Sequence, residues 1–81
     1  MKQPPLRSLH SDDLLSEAKL EKMRGRPSEE LLETLLPGHL HCLKTRPDGM
    51  ILDGHHRIKV LRERAVDVDM LPREIHEQEG L

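Results

Sequence analysis

The chain has 81 residues, enough for one domain, and carries no Phe, Tyr or Trp, so a core must be built from Leu, Ile, Val, Met and Ala. A core of that size supplies roughly 3–5 kcal/mol net, which makes added burial in a homodimer an expectation. A net charge of −2 argues against a free-standing nucleic-acid binder; the lone Cys42 excludes disulfide scaffolds; and no segment reads as a signal peptide or a membrane span, so a cytoplasmic protein without a membrane partner is expected.

Residues 1–10 read as a flexible start, with a short strand suggested over Leu6–His10 by Leu6 and Leu9. Ser11, Asp12 and Asp13 offer caps for a helix over Leu15–Met23, which Gly25-Arg26-Pro27 breaks. In the next segment Ser28 can cap and Glu29 and Glu30 suit a first turn. Leu31, Leu32, Leu35 and Leu36 give that helix one apolar face, ended by Pro37-Gly38. His39–Arg46 reads as a strand, Pro47-Asp48-Gly49 as a turn, and Met50–Asp53 as a second strand, together a hairpin. A helix over about His55–Arg64 follows, with Ile58, Leu61 and Ala65 on one face and Val60 beside them. Asp67–Pro72 alternates like a short strand, Pro72 suiting its end, and residues 76–81 form a polar, flexible end. The order β–α–α–β–β–α–β defines a small single-domain α+β fold spanning 1–81, a short mixed sheet packed against helices.

The segment Asp53-Gly54-His55-His56-Arg57 carries the chemistry. Strand, glycine turn and helix start follow one another directly. The first amides of a helix have no partner within it, and the helix dipole adds partial positive charge there. Gly54 lets backbone approach a bound group, Arg57 is suited to clamp phosphate oxygens, and His55 and His56 can donate hydrogen bonds and titrate near neutral pH. Asp53 has two readings, an N-cap for the helix, or a general base or magnesium ligand beside bound phosphate.

The run Gly49-Met50-Ile51-Leu52-Asp53-Gly54-His55-His56-Arg57, the helix Ile58–Arg64 and the close Met70-Leu71-Pro72 resemble the ParB/sulfiredoxin superfamily, a bacterial-type domain, over about residues 28–75. The resemblance implies a nucleotide-phosphate site at the box, formed by Gly54, His55, His56 and Arg57, with ATP, ADP or CTP and Mg²⁺ as ligands. The sulfiredoxin cysteine would fall at His55, so that chemistry is not expected. The chain has no room for the helix-turn-helix region of a complete chromosome-partitioning protein. The box spelling is closest to the free serine kinases, whose catalytic glutamate has several stand-ins here: Asp12, Asp13, Glu17 and Glu21. Relatives often place a helix-ending glycine where this chain has Ala65, so that alanine must accept left-handed backbone or end the helix differently.

Three functions follow as expectations: a nucleotide-binding or regulatory module; a small phosphotransferase or nucleotide hydrolase with Asp53 as tentative base; and, less favoured, a DNA-associated accessory domain. Arg57, Lys59, Arg62 and Arg64 spread around their helix as a solvated surface would, while Lys19, Lys22, Arg24 and Arg26 form another basic cluster. His39 and His41, two apart on a strand, could chelate a metal, but no matched carboxylate supports a metal site. Cys42, between Leu40 and Leu43, reads as a small buried hydrophobe.

Overall fold

Helix α1 (Glu17–Arg24) starts one residue after Ser16, whose hydroxyl accepts the Lys19 amide at 3.4 Å. The structure is a computed structural model that describes residues 3–8 and 15–77. The suggested caps Ser11, Asp12 and Asp13 therefore lie outside the described residues. Helix α2 (Ser28–Leu35) follows Pro27, which occupies the N-cap position. Ser28 is thus the first helical residue rather than the cap, and its hydroxyl instead accepts a hydrogen bond from Arg64 at 2.9 Å. Leu31 and Leu35 are buried, as the apolar spacing requires, whereas Leu36 falls beyond the last turn and is exposed.

The predicted strand over 39–46 is reduced to β1 (Lys44–Thr45). After Gly38, at φ 105°, residues 39–42 turn, with the His39 amide on Leu36 O and the Cys42 amide on His39 O. The turn drops Leu43 under α2, where its amide reaches Leu35 O at 2.9 Å. Pro47-Asp48-Gly49 makes the expected turn: the Asp48 carboxylate accepts the Met50 amide, and Gly49 holds φ 93°. Strand β2 (Ile51–Asp53) pairs antiparallel with β1.

Helix α3 (His55–Glu63) buries Ile58, Val60 and Leu61. Its last turn closes with the Ala65 amide on Arg62 O and the Val66 amide on Leu61 O, both at 3.0 Å, the bonding of a Schellman ending. The third strand was expected over 67–72, but Val68–Met70 forms a 3₁₀ turn. Val68 is buried there while Met70 is 70% exposed, so the apolar alternation did not mark a sheet face. The chain resumes pairing one step later, as β3 (Glu74–Ile75), past Pro72, which lacks an amide proton. β3 runs parallel to β1, giving the sheet order β2-β1-β3, mixed as expected.

Residues 3–8, taken from sequence as part of a flexible start, are packed. Leu6 is buried in the core, and Arg7 bridges β2 through its amide on Gly49 O and the Ile51 amide on its own carbonyl. Leu6, Leu20, Leu31, Leu35, Leu43, Ile51, Ile58, Val60, Leu61 and Val68 make one continuous core between the helices and the sheet. The α+β class is thus the class that the structure has.

Candidate functional site

Strand β2 delivers Asp53 to the end of the sheet, and Gly54 turns the chain into α3 at φ 109°. A Cβ at Gly54 would stand 3.1 Å from Leu35 Cδ2 and 3.5 Å from Leu43 Cδ1. The left-handed turn and close packing on the core both require the glycine. Gly54 is itself the N-cap, and no side chain caps α3. The N-cap reading of Asp53 is corrected accordingly. Its carboxylate faces two cationic groups instead, Lys44 Nζ at 3.8 Å and the Arg57 guanidinium at 3.9 Å, with His41 Nδ1 also at 3.8 Å.

Arg57 is turned inward. Its guanidinium donates to Thr34 O and Thr34 Oγ1, each at 3.1 Å, and to His41 O. It thereby ties the C-terminal turn of α2 and the 36–43 loop to the start of α3. Burial pulls its pKa down, opposed by the Asp53 carboxylate. A guanidinium this basic remains charged, and carbonyl oxygens suit that charge well. The clamp on phosphate expected from sequence is thus first an internal brace, with one edge left facing the cleft described below.

His56 also has an internal partner. Its Nε2 accepts the Ser16 amide at 3.1 Å, so the ring joins α3 to the N-cap of α1. Partial burial, and secondly the nearby Lys19 ammonium, hold its pKa below the ordinary histidine value. Both effects disfavour the imidazolium, in keeping with a ring nitrogen that acts as acceptor.

What the box faces is a cleft of ≈ 420 Å³ lined by Lys19, Lys22, Met23, Arg26, Asp53, Gly54, His55, His56 and Arg57. All four predicted phosphate residues, Gly54 through Arg57, reach this one space, and so does Asp53. The basic residues opposite them come from α1 and the turn after it. Lys19, Lys22 and Arg26 sit at i, i+3 and i+7, a spacing that puts them on one helical face. That spacing was the available signal, and it separates these three from Arg24 in the same basic run. Arg24 turns the other way and binds Glu17, Glu21 and Glu63 at 2.8, 3.2 and 2.9 Å. Arg26 pairs with Glu30 at 2.7 Å, whereas among the described residues Lys19 and Lys22 have no carboxylate within ion-pair distance.

A second hollow of ≈ 320 Å³ shares Met23, Arg26 and Arg57 with the first and adds Glu30, Leu31, Thr34 and His41. One space is therefore cationic and the other has an apolar floor of Met23 and Leu31. Among the described residues Asp53 is the only carboxylate lining the cationic space, and its neighbours Lys44 and Arg57 disfavour a divalent ion there. The residues do not fit a protein-held magnesium. His39 and His41 lie in the turn before β1, so they do not share a strand face, and among the described residues no group of three His, Cys, Asp or Glu converges as a ligand set.

The remaining basic residues of α3 are used internally. Arg62 donates to Leu6 O and pairs with Asp69, Arg64 donates to Ser28 Oγ and Arg24 O, and Lys59 pairs with Glu63. Cys42 is fully buried, its thiol directed at Glu74 Oε2 at 3.6 Å. Among the described residues no helix is long and apolar enough to cross a membrane.

Fold and site together define a small α+β domain with a basic cleft at a strand–glycine–helix junction. No family model matches the chain, and no curated protein or solved structure matches it either.

Proposed function

We propose that the domain binds a nucleotide in this double cleft, as a binding or regulatory module. One observation carries the reading: a cationic space built from three elements adjoins an apolar-floored space across Arg26 and Arg57. Phosphates fit the first, where Lys19, Lys22, His55 and His56 surround the uncapped start of α3. A base fits the second, over Met23 and Leu31. The likeness of the box to the ParB/sulfiredoxin pattern supports the same ligand. Any magnesium would travel on the phosphates rather than on protein carboxylates.

Binding is favoured over phosphoryl transfer by where the acids stand. Glu17 and Glu21, two of the stand-ins for a catalytic glutamate, are bonded to Arg24, and Asp53 is a counter-ion to Arg57 and Lys44. A DNA-facing surface on α3 is disfavoured by the internal contacts of Arg57, Arg62 and Arg64.

Calorimetric titration with ATP, ADP, CTP and pyrophosphate, with and without magnesium, tests the proposal. A nucleotide should bind more tightly than pyrophosphate. Lys19→Gln with Lys22→Gln should weaken binding about tenfold or more while leaving the melting temperature nearly unchanged, because neither residue packs in the core. Arg57→Ala is a poor probe, since it would also remove the brace between α2 and α3. Absence of binding by every nucleotide would overturn the reading. Turnover of ATP across a panel that includes free serine would replace the module with the phosphotransferase.

A further inference from the structure

His56 stands between two demands. Its Nε2 accepts the Ser16 amide at 3.1 Å, which requires that nitrogen to be unprotonated, while the same ring lines the cationic cleft. We propose that His56 is a proton-operated switch: a bound anion draws a proton from solvent onto Nε2, and the imidazolium then loses the Ser16 amide and frees the N-terminal end of α1. The inference rests on the reading of the cleft as a phosphate site.

The electrostatics run in that direction. The groups around the ring are Lys19 and Lys22 on α1, Arg26 on the following turn, His55 and Arg57 on α3, and Asp53 on β2. Cations dominate, so without a ligand the neutral ring is favoured and the Ser16 hydrogen bond is kept. A dianion reverses the local field, and the imidazolium becomes a further donor to it. Once Nε2 carries a proton, it meets the Ser16 amide donor to donor, and the contact breaks. Linkage then requires that acid tighten anion binding and that anion binding raise the His56 pKa by the same factor. Ser16 is the N-cap of α1, so its release would carry a signal out of the cleft to the start of that helix.

Sulfate is the probe, because it stays a dianion throughout the relevant pH range and its own titration adds nothing. For the whole chain, sulfate affinity should rise several-fold, up to about tenfold, between about pH 8 and pH 5.5. Calorimetry in buffers of different ionisation enthalpy should show proton uptake on binding, and the Ser16 amide resonance should shift as sulfate is added. His56→Gln keeps an acceptor near the Nε2 position and cannot titrate, so its sulfate affinity should depend less on pH than that of the unmodified chain. Should that variant not fold, proton uptake and the His56 ring resonance of the unmodified chain decide. Equal affinity at both pH values, or undiminished pH dependence in His56→Gln, would overturn the switch while leaving the phosphate site standing. No sulfate binding at any pH, together with no nucleotide binding, would overturn both.

Discussion

Ala65 holds φ at 62°, the one non-glycine residue with positive φ among the described residues. It sits where the Schellman ending of α3 needs a left-handed residue, and its side chain is exposed. The methyl group therefore costs conformational energy and returns no packing. Ala65→Gly should stabilise the domain by about 0.5–1 kcal/mol and raise the melting temperature by a few degrees. A lower melting temperature in thermal denaturation would contradict this. From sequence Ala65 had two outcomes, left-handed backbone or a different helix ending, and the chain takes the first. Other residues were legible in type but not in direction. Gly54 was singled out, yet it faces Leu35 and Leu43, and Arg57 was singled out, yet most of its donors go to Thr34 and His41. Residue spacing shows which groups gather at a turn. It does not show which of them the core claims first.

At the scale of elements, α1 depends on α3. Arg24 carries the link, with Nε and Nη2 on the two carboxylate oxygens of Glu63 at 3.0 and 2.9 Å. Arg24 first, and Lys59 after it, hold the Glu63 pKa at about 2, below its ordinary 4.5. A carboxylate with a depressed folded pKa contributes stability that is fully present above about pH 4.5 and fades as pH falls towards 2. Urea denaturation of the unmodified chain across that window should show this loss. Glu63→Gln should lower the midpoint at neutral pH and flatten the acid slope; an unchanged slope would mean the pair does not hold the helices together. The helices themselves were well marked by the Gly25-Arg26-Pro27 break and the leucine spacing, although their N-caps are Ser16 and Pro27 and not the residues the sequence suggested. The short strands were not. β1 keeps two of its eight expected residues because the chain must turn after Gly38 to place Leu43 beneath Leu35, a long-range demand with no periodic signature.

For the molecule as a whole, residues 3–8 complete the fold. Leu6 enters the core, its amide meets Asp69, its carbonyl meets Arg62, and Pro4 O accepts from Arg73. The segment crosses Gly49 so closely that a Cβ there would lie 2.2 Å from Pro5 O. With φ at 93° as well, Gly49→Ala should cost about 1–3 kcal/mol. In hydrogen exchange, the Ile51 amide, bonded to Arg7 O, should lose protection before the amides of α3 do. Equal loss throughout would mean that the segment and the core unfold as one. Little of this was legible. Leu6 is one apolar residue in a Pro-rich start, and its partners Arg62 and Asp69, like the Arg73 that bonds Pro4, lie more than fifty residues away.

The bridge from Arg7 to β2 has one more consequence. A sheet of three strands has two outer edges, and an open edge is a template on which another chain can pair. Arg7 occupies the outer side of β2 through its own amide and carbonyl. The opposite edge, β3, is two residues long, follows shortly after Pro72 and is flanked by the Glu74–His76 pair, a poor surface for strand addition. Among the described residues, guarding β2 against self-association thus falls to Arg7 of the leading segment. Lifting that segment would uncover a strand whose outward Leu52 is already partly exposed, and would turn a fold with one blunt edge into one able to recruit copies of itself.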